Sequence, residues 1–141
     1  MAKLEGIRAC VFDAYGTLFD VHGPIRKHAA EIGPKAEELS RLWRSKQLEY
    51  TWLTSLMTAP GYARPDFRDI TAKALDYAVA ALVLPIAADA RAELAAGYLS
   101  LATYPDAHAS LASLAPLPRW ILSNGTRDML DPLVAGSGLA P

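Results

Sequence analysis

The sequence has 141 residues, enough for one domain with a real core. A hydrophobic share of 52% against 21% charged residues excludes a disordered chain. Lys and Arg number 14 against 15 Asp and Glu, a net charge of −1, and no basic cluster or acidic tail stands out. That balance argues against a nucleic-acid-binding surface. Cys10 is the only cysteine, so no intrachain disulfide can form. Lys3, Glu5 and Arg8 interrupt the apolar N-terminal stretch, unlike a signal-peptide core. No run approaches the ~18 apolar residues of a membrane span. A soluble, cytoplasmic protein without membrane or nucleic-acid partners is expected.

Ile7 to Phe12 is a short, mostly apolar run ending at Asp13, followed by the turn Tyr15-Gly16-Thr17. It reads as a buried strand of parallel type with a functional loop at its carboxyl end, and Cys10 as a buried thiol upon it. From about Ile25 to Leu101 the periodicity is helical, broken at Gly33-Pro34, Pro60-Gly61, Pro65 and Pro85. One helix is predicted to start at Pro34, with Glu37 and Glu38 in its first turn. Its apolar residues are Leu39, Leu42, Trp43, Tyr50, Leu53, Leu56 and Met57, with a wider gap between Trp43 and Tyr50. Further helices are predicted over Phe67 to Leu84, Ala87 to Leu101 and Asp106 to Ala115. Arg119 to Leu122 is then a second strand, leading into Ser123-Asn124-Gly125-Thr126 and a last helix from Arg127 to Val134. Right-handed crossover makes the two strands parallel neighbours. Asp13 and the Ser123-Asn124 loop then share the carboxyl edge, where open α/β sheets bind ligands.

Three segments carry chemistry. A carboxylate at a strand end, followed by Gly16 and Thr17, can act as a covalent nucleophile if backbone N–H groups orient it; taken alone, an Asp before a turn is usually just a turn former. Arg44 is a permanent, weakly hydrated cation able to receive an anion in an apolar pocket, or else an exposed helix residue paired with Glu37 or Ser40. Ser123 and the N–H groups of the following helix suit a carboxylate, and otherwise form a plain turn. His22, His28 and His108 are scattered, and their spacing gives neither a metal site nor a Ser/His/Asp arrangement.

The string DAYGTLFDV from Asp13 to Val21 resembles the first motif of the haloacid dehalogenase superfamily almost letter for letter. WRSKQLEYTWL, from Trp43 to Leu53, resembles the cap helix of type II (L-2-) haloacid dehalogenases, and Ser123-Asn124-Gly125-Thr126 resembles the superfamily's second motif. The resemblance implies an α/β fold: a partial Rossmann-like parallel-sheet core, residues 1–20 and 103–141, with a helical cap, 21–102, inserted after the first strand. It implies hydrolysis of short L-2-haloacids to D-2-hydroxy acids through an ester on Asp13. Thr17 would hydrogen-bond near the nucleophile, Arg44 and Asn124 would receive the halide ion, and Ser123 would bind the substrate carboxylate. Tyr15, Leu48 and Phe67 would wall the pocket, although Thr58 to Pro65 is longer than the family's usual spacing. No cofactor or metal is implied, and a homodimer through the cap helices is a family expectation.

Tyr15 separates this reading from a superfamily phosphatase, in which that position is a second Asp acting as general acid. A phenol neither binds magnesium well nor protonates an alkoxide at neutral pH, and a departing halide needs no acid. Two features of the family pattern are not found after Ser123: a Lys beside the nucleophile and a Ser-Ser/Ala-Asn-x-x-Asp loop. The expectation is therefore a C-terminally incomplete chain with no useful turnover by itself. The alternative is a non-catalytic homologue or helical binding module.

Overall fold

Cys10, Val11 and Phe12 form strand β1 in the computed structural model of the protein, which describes residues 5–57 and 59–139. Strand β2, Arg119–Ile121, runs parallel to it, with Cys10 opposite Arg119 and Phe12 opposite Ile121. The Leu122 N–H continues the ladder, donating to the Phe12 carbonyl at 2.9 Å. Both strands thus end at one edge, where Asp13 and Ser123 follow.

The intervening chain is helical: α1 (Gly23–Lys27), α2 (Ala29–Ile32), α3 (Ala36–Leu56), α4 (Phe67–Ala81), α5 (Ala88–Ala96) and a 3-10 turn, Gly97–Leu99. Helix α6 (Ala107–Ser113) precedes β2, and α7 (Arg127–Ser137) follows it. The two ends of the long helical segment are tied together. Asp20 N–H donates to the Ala102 carbonyl at 2.9 Å, and Tyr104 N–H to the Leu18 carbonyl at 3.0 Å. A single apolar cluster joins Tyr15 and Phe19 to Leu39 and Trp43 of α3, Phe67 and Leu75 of α4, Tyr98, and Met129 and Leu133 of α7. Helices α3 and α4 share the most extensive contact between any two elements.

Several expectations are corrected. β1 is shorter than Ile7 to Phe12, and it is not buried: Val11 is 61% exposed, Trp120 of β2 is 64% exposed, and Cys10 is half-buried. Side chains on the faces of the sheet are buried only where helices pack on them, and the described helices leave Val11 and Trp120 open. Pro34 lies in a turn before α3 rather than at its first position, with Lys35 at the N-cap; Glu37 and Glu38 do occupy the first turn. Leu53, Leu56 and Met57, expected on the apolar face of α3, are exposed, whereas Ser40, Gln47 and Thr51 are buried. Helix α5 gives way to the 3-10 turn at Gly97, and α6 is shorter than predicted at both ends. Helix α7 runs past Val134 to Ser137 and stops where Gly138 adopts φ +72. Lys3, Thr58 and the final Ala140-Pro141 lie outside the described residues. No helix among those described is long and apolar enough to cross a membrane.

The end of α4 fixes how the chain turns back toward α5. Leu84 N–H donates to the Val79 carbonyl at 3.0 Å and Val83 N–H to the Ala80 carbonyl at 3.1 Å, the paired bonds of a Schellman cap. The Lys35 ammonium adds a bond of 2.9 Å to the Leu82 carbonyl. Such a cap needs a left-handed residue, and here that residue is Val83, at φ +54. A β-branched side chain is strained there by about 1–2 kcal/mol. Val83 is 86% exposed, so no packing opposes its removal. Val83→Gly is expected to raise stability by about 1 kcal/mol, read as a higher denaturant midpoint at unchanged slope.

Candidate active site

Asp13 stands exposed at the end of β1. The Thr17 hydroxyl donates to its Oδ2 at 3.2 Å, so the turn grips the carboxylate locally. The turn is held by the Ala14 carbonyl, which accepts from the Leu18 and Phe19 N–H groups, each at 3.0 Å. Gly16 supplies the φ of +96 that the turn requires.

The Arg44 side chain reaches this turn from α3. Its Nη2 donates to the Tyr15 carbonyl at 2.6 Å, and its Nη1 donates to Gln47 Oε1 at 2.8 Å. A Cβ on Gly16 would lie 3.0 Å from Nη2, so the bare glycine also makes room for the guanidinium. The alternative pairing of Arg44 with Glu37 or Ser40 does not occur. Glu37 bonds Arg41 at 3.2 Å, and the Ser40 hydroxyl bonds His22 Nδ1 at 2.7 Å. Burial, and secondly the adjacent Arg44 charge, hold His22 below the ordinary histidine range.

Three residues of this arrangement escape a sequence reading. Gln47, fully buried, donates through Nε2 to Thr71 Oγ1 at 2.6 Å, and Tyr98 Oη lies 3.5 Å from its Oε1. Gln47 fills the gap between Trp43 and Tyr50, at spacings of four and three residues. That spacing was the available signal, and its polarity concealed it.

The Tyr15 ring is buried between Phe67, with centroids 5.1 Å apart, and Tyr98, at 5.7 Å. Gly125 presses against the same ring: a Cβ there would come within 2.6 Å of Tyr15 Cε2. Ser123 and Asn124 meet Phe67 in a neighbouring cavity of about 330 Å³, lined also by Thr51, Arg64 and Asp66. The Ser123 oxygen accepts from the Gly125 N–H at 3.1 Å. The expected residues therefore form two groups, Asp13, Thr17 and Arg44 at one turn and Ser123, Asn124 and Phe67 at the cavity, bridged by Tyr15. Leu48 is half-buried one helical turn beyond Arg44, and the cavity's lining does not include it. Arg68 of α4 and Asp128 of α7 join the two sides at 2.5 Å. Among the described residues no group of three or more His, Cys, Asp or Glu is gathered for a metal ion.

Burial pushes the Tyr15 phenol up to about 12, with the Arg68 and Asp128 charges acting in opposite senses, and burial raises Tyr98 as well. Tyr15 is thus a neutral wall at any ordinary pH. An unfolded tyrosine ionises near pH 10. The folded state therefore holds these protons more tightly, and its stability is complete below pH 10 and declines as pH rises toward 12. Denaturant midpoints measured from pH 9 to 12 should fall, and Tyr15→Phe should reduce the slope.

Residues 7–141 match the model of the haloacid dehalogenase-like hydrolase family. The chain is 48% identical over 129 residues to (S)-2-haloacid dehalogenase 1 of Pseudomonas sp. strain CBS-3, covering 90% of this chain and 55% of the relative. A crystal structure of a dehalogenase superposes with a TM-score of 0.86 at 42% identity, covering 97% of this chain and 60% of that one. The L-2-haloacid dehalogenase from Xanthobacter autotrophicus with chloropropionic acid covalently bound gives a TM-score of 0.81 at 46% identity, covering 95% and 53%. The chain spans about half the length of the curated relatives it matches. With a parallel strand pair that brings Asp13 and Ser123 to one edge, and a family match over nearly every residue, the chain belongs to the haloacid dehalogenase-like hydrolases.

Proposed function

We propose that the protein serves hydrolytic dehalogenation of short L-2-haloacids, with residues 21–102 acting as a cap over a core formed by 1–20 and 103–141. The observation that carries this reading is the Arg44 guanidinium anchored on the Tyr15 carbonyl, in the turn that follows Asp13. It brings a permanent cation to the loop of an exposed carboxylate, and neutral groups accept its two named bonds. An Asp13 carboxylate oxygen attacks C2 of the haloacid. The carbon–halogen bond breaks with inversion, and the halide leaves with the bonding pair toward Arg44 and Asn124. Water then attacks the carbonyl carbon of the aspartyl ester, one of its protons going to the departing hydroxy-acid oxygen and the other to solvent as Asp13 returns to a carboxylate. The ester C–O bond at the Asp13 carbonyl breaks, freeing a D-2-hydroxy acid that keeps the oxygen from Asp13. Ser123 takes the substrate carboxylate, Thr17 steadies Asp13, and Tyr15, Leu48 and Phe67 supply apolar walls.

The covalent adduct named for the Xanthobacter relative supports an ester on this chain's Asp13. The buried phenol of Tyr15 favours carbon–halogen over phosphate-ester chemistry, because it stays protonated and offers no acid to a leaving alkoxide. Partners are the haloacid and the halide ion, with a homodimer through the cap helices.

The protein incubated with L-2-chloropropionate should release at least one chloride per chain and, where the ester is not hydrolysed, accumulate a 1-carboxyethyl ester located on Asp13 by peptide mass mapping. Both signals should survive a chelator and vanish in Asp13→Ala. With active enzyme in excess over substrate in oxygen-18 water, the first turnover should label Asp13 and leave the hydroxy acid largely unlabelled. Heavy oxygen appearing at once in the product would mean that water, not Asp13, attacks C2. Magnesium-dependent phosphatase activity without halide release would replace the reading altogether.

Arg44→Lys keeps the charge but loses the planar donor fork, and displacement should slow by ~10²–10³. The two lost bonds should cost about 1–2 kcal/mol of stability. Normal displacement in Arg44→Ala would refute the halide role.

A further inference from the structure

We infer that Gln47 is a positioning residue for Arg44, locking the guanidinium through a relay of hydrogen bonds whose direction is fixed at Thr71. This rests on the proposed halide role of Arg44 and adds how that cation is held.

The direction follows from proton counting. A threonine hydroxyl has one proton, and Thr71 Oγ1 donates it to the Phe67 carbonyl at 2.6 Å. Toward Gln47 that oxygen can only accept, so the amide nitrogen of Gln47 must face Thr71, at 2.6 Å. The amide oxygen is thereby turned to Arg44 Nη1 at 2.8 Å. Gln47 is fully buried, so water does not compete for either end. The Trp43 indole N–H, bonded to the Thr71 carbonyl at 2.9 Å, pins the same stretch of α4 to α3.

Anchored by Gln47 at Nη1 and by the Tyr15 carbonyl at Nη2, the guanidinium keeps Nε–H and one further N–H on each terminal nitrogen for an anion. Its plane is set before any ligand arrives, which lowers the ordering cost of capture. A neutral acceptor is required for this role. A carboxylate at position 47 would hold the guanidinium equally well and neutralise the charge that attracts a halide.

The test reads the Arg44 Nε–H resonance of the 141-residue chain, identified by its loss in Arg44→Lys, during titration with bromide. In the unmodified protein the resonance should be well dispersed and shift with bromide. Gln47→Met, similar in volume but without the acceptor, should collapse it toward the averaged arginine position and weaken the bromide response at least ~10-fold, a loss of ~1.4 kcal/mol. The Trp43 indole resonance should stay in place. Gln47→Glu should restore dispersion at Arg44 and still show no bromide response. An Arg44 resonance untouched by Gln47→Met, or one lost together with that of Trp43, would overturn the inference by making Gln47 a packing residue. If bromide fails to move Arg44 in the unmodified protein, the halide reading falls. The dispersion change in Gln47→Met then decides the positioning role by itself.

Discussion

A guanidinium that is partly withdrawn from water must find acceptors, and Arg44 finds two neutral ones: a backbone carbonyl of the turn after β1 and a side-chain amide of its own helix. Had the acceptors been carboxylates, the charge would have been spent within the protein. Because they are neutral, the positive charge remains beside the loop that carries Asp13. Much of the local sequence follows from this one placement. Gly16 lacks a Cβ where Nη2 passes, the Arg44 charge adds to burial in shifting His22 below the ordinary histidine range, and α3 must lie close enough to the turn for a long side chain to span it.

That proximity is secured by apolar packing. Tyr15 sits between Phe67 at the start of α4 and Tyr98 at the end of the helical segment, and Tyr98 in turn meets Trp43 at 5.1 Å. Aromatic pairs contribute about 0.5–1.5 kcal/mol each beyond their burial, so this cluster is a firm joint between the strand edge and the helices. It also explains why the residue after Asn124 is glycine. Any side chain there would strike the Tyr15 ring and push the Ser123 loop away from the edge it shares with Asp13. The Arg68–Asp128 pair spans the same boundary from outside; both partners are substantially exposed, so it adds little to stability.

Sequence periodicity located every long helix and both strands, because helical and extended repeats are properties of neighbouring residues. It failed where burial depends on distant chain. The apolar end of α3 reads as core, yet Leu56 is 77% exposed, whereas polar Gln47 and Thr51 take buried positions because each finds a partner, Gln47 at Thr71 of α4 and Thr51 at the Gln47 carbonyl one turn back in α3. β1 was expected to be buried, but the helices leave Val11 open, and with it Trp120 and Leu122. Asp13, Arg44 and Ser123 could be singled out as candidates because each lies in a distinctive string. The hold on Arg44 could not, since it is made by one amide oxygen on an adjacent helical turn and one carbonyl 29 residues away.

The proposed chemistry depends on Arg44 acting as an anion receptor in front of Asp13. Crystals soaked in bromide and measured at the bromine absorption edge test it directly. An anomalous peak is expected in contact with the unengaged N–H groups of Arg44, absent from crystals of Arg44→Ala. Bromide bound elsewhere while Arg44 stays empty, or a peak that persists in Arg44→Ala, would contradict it.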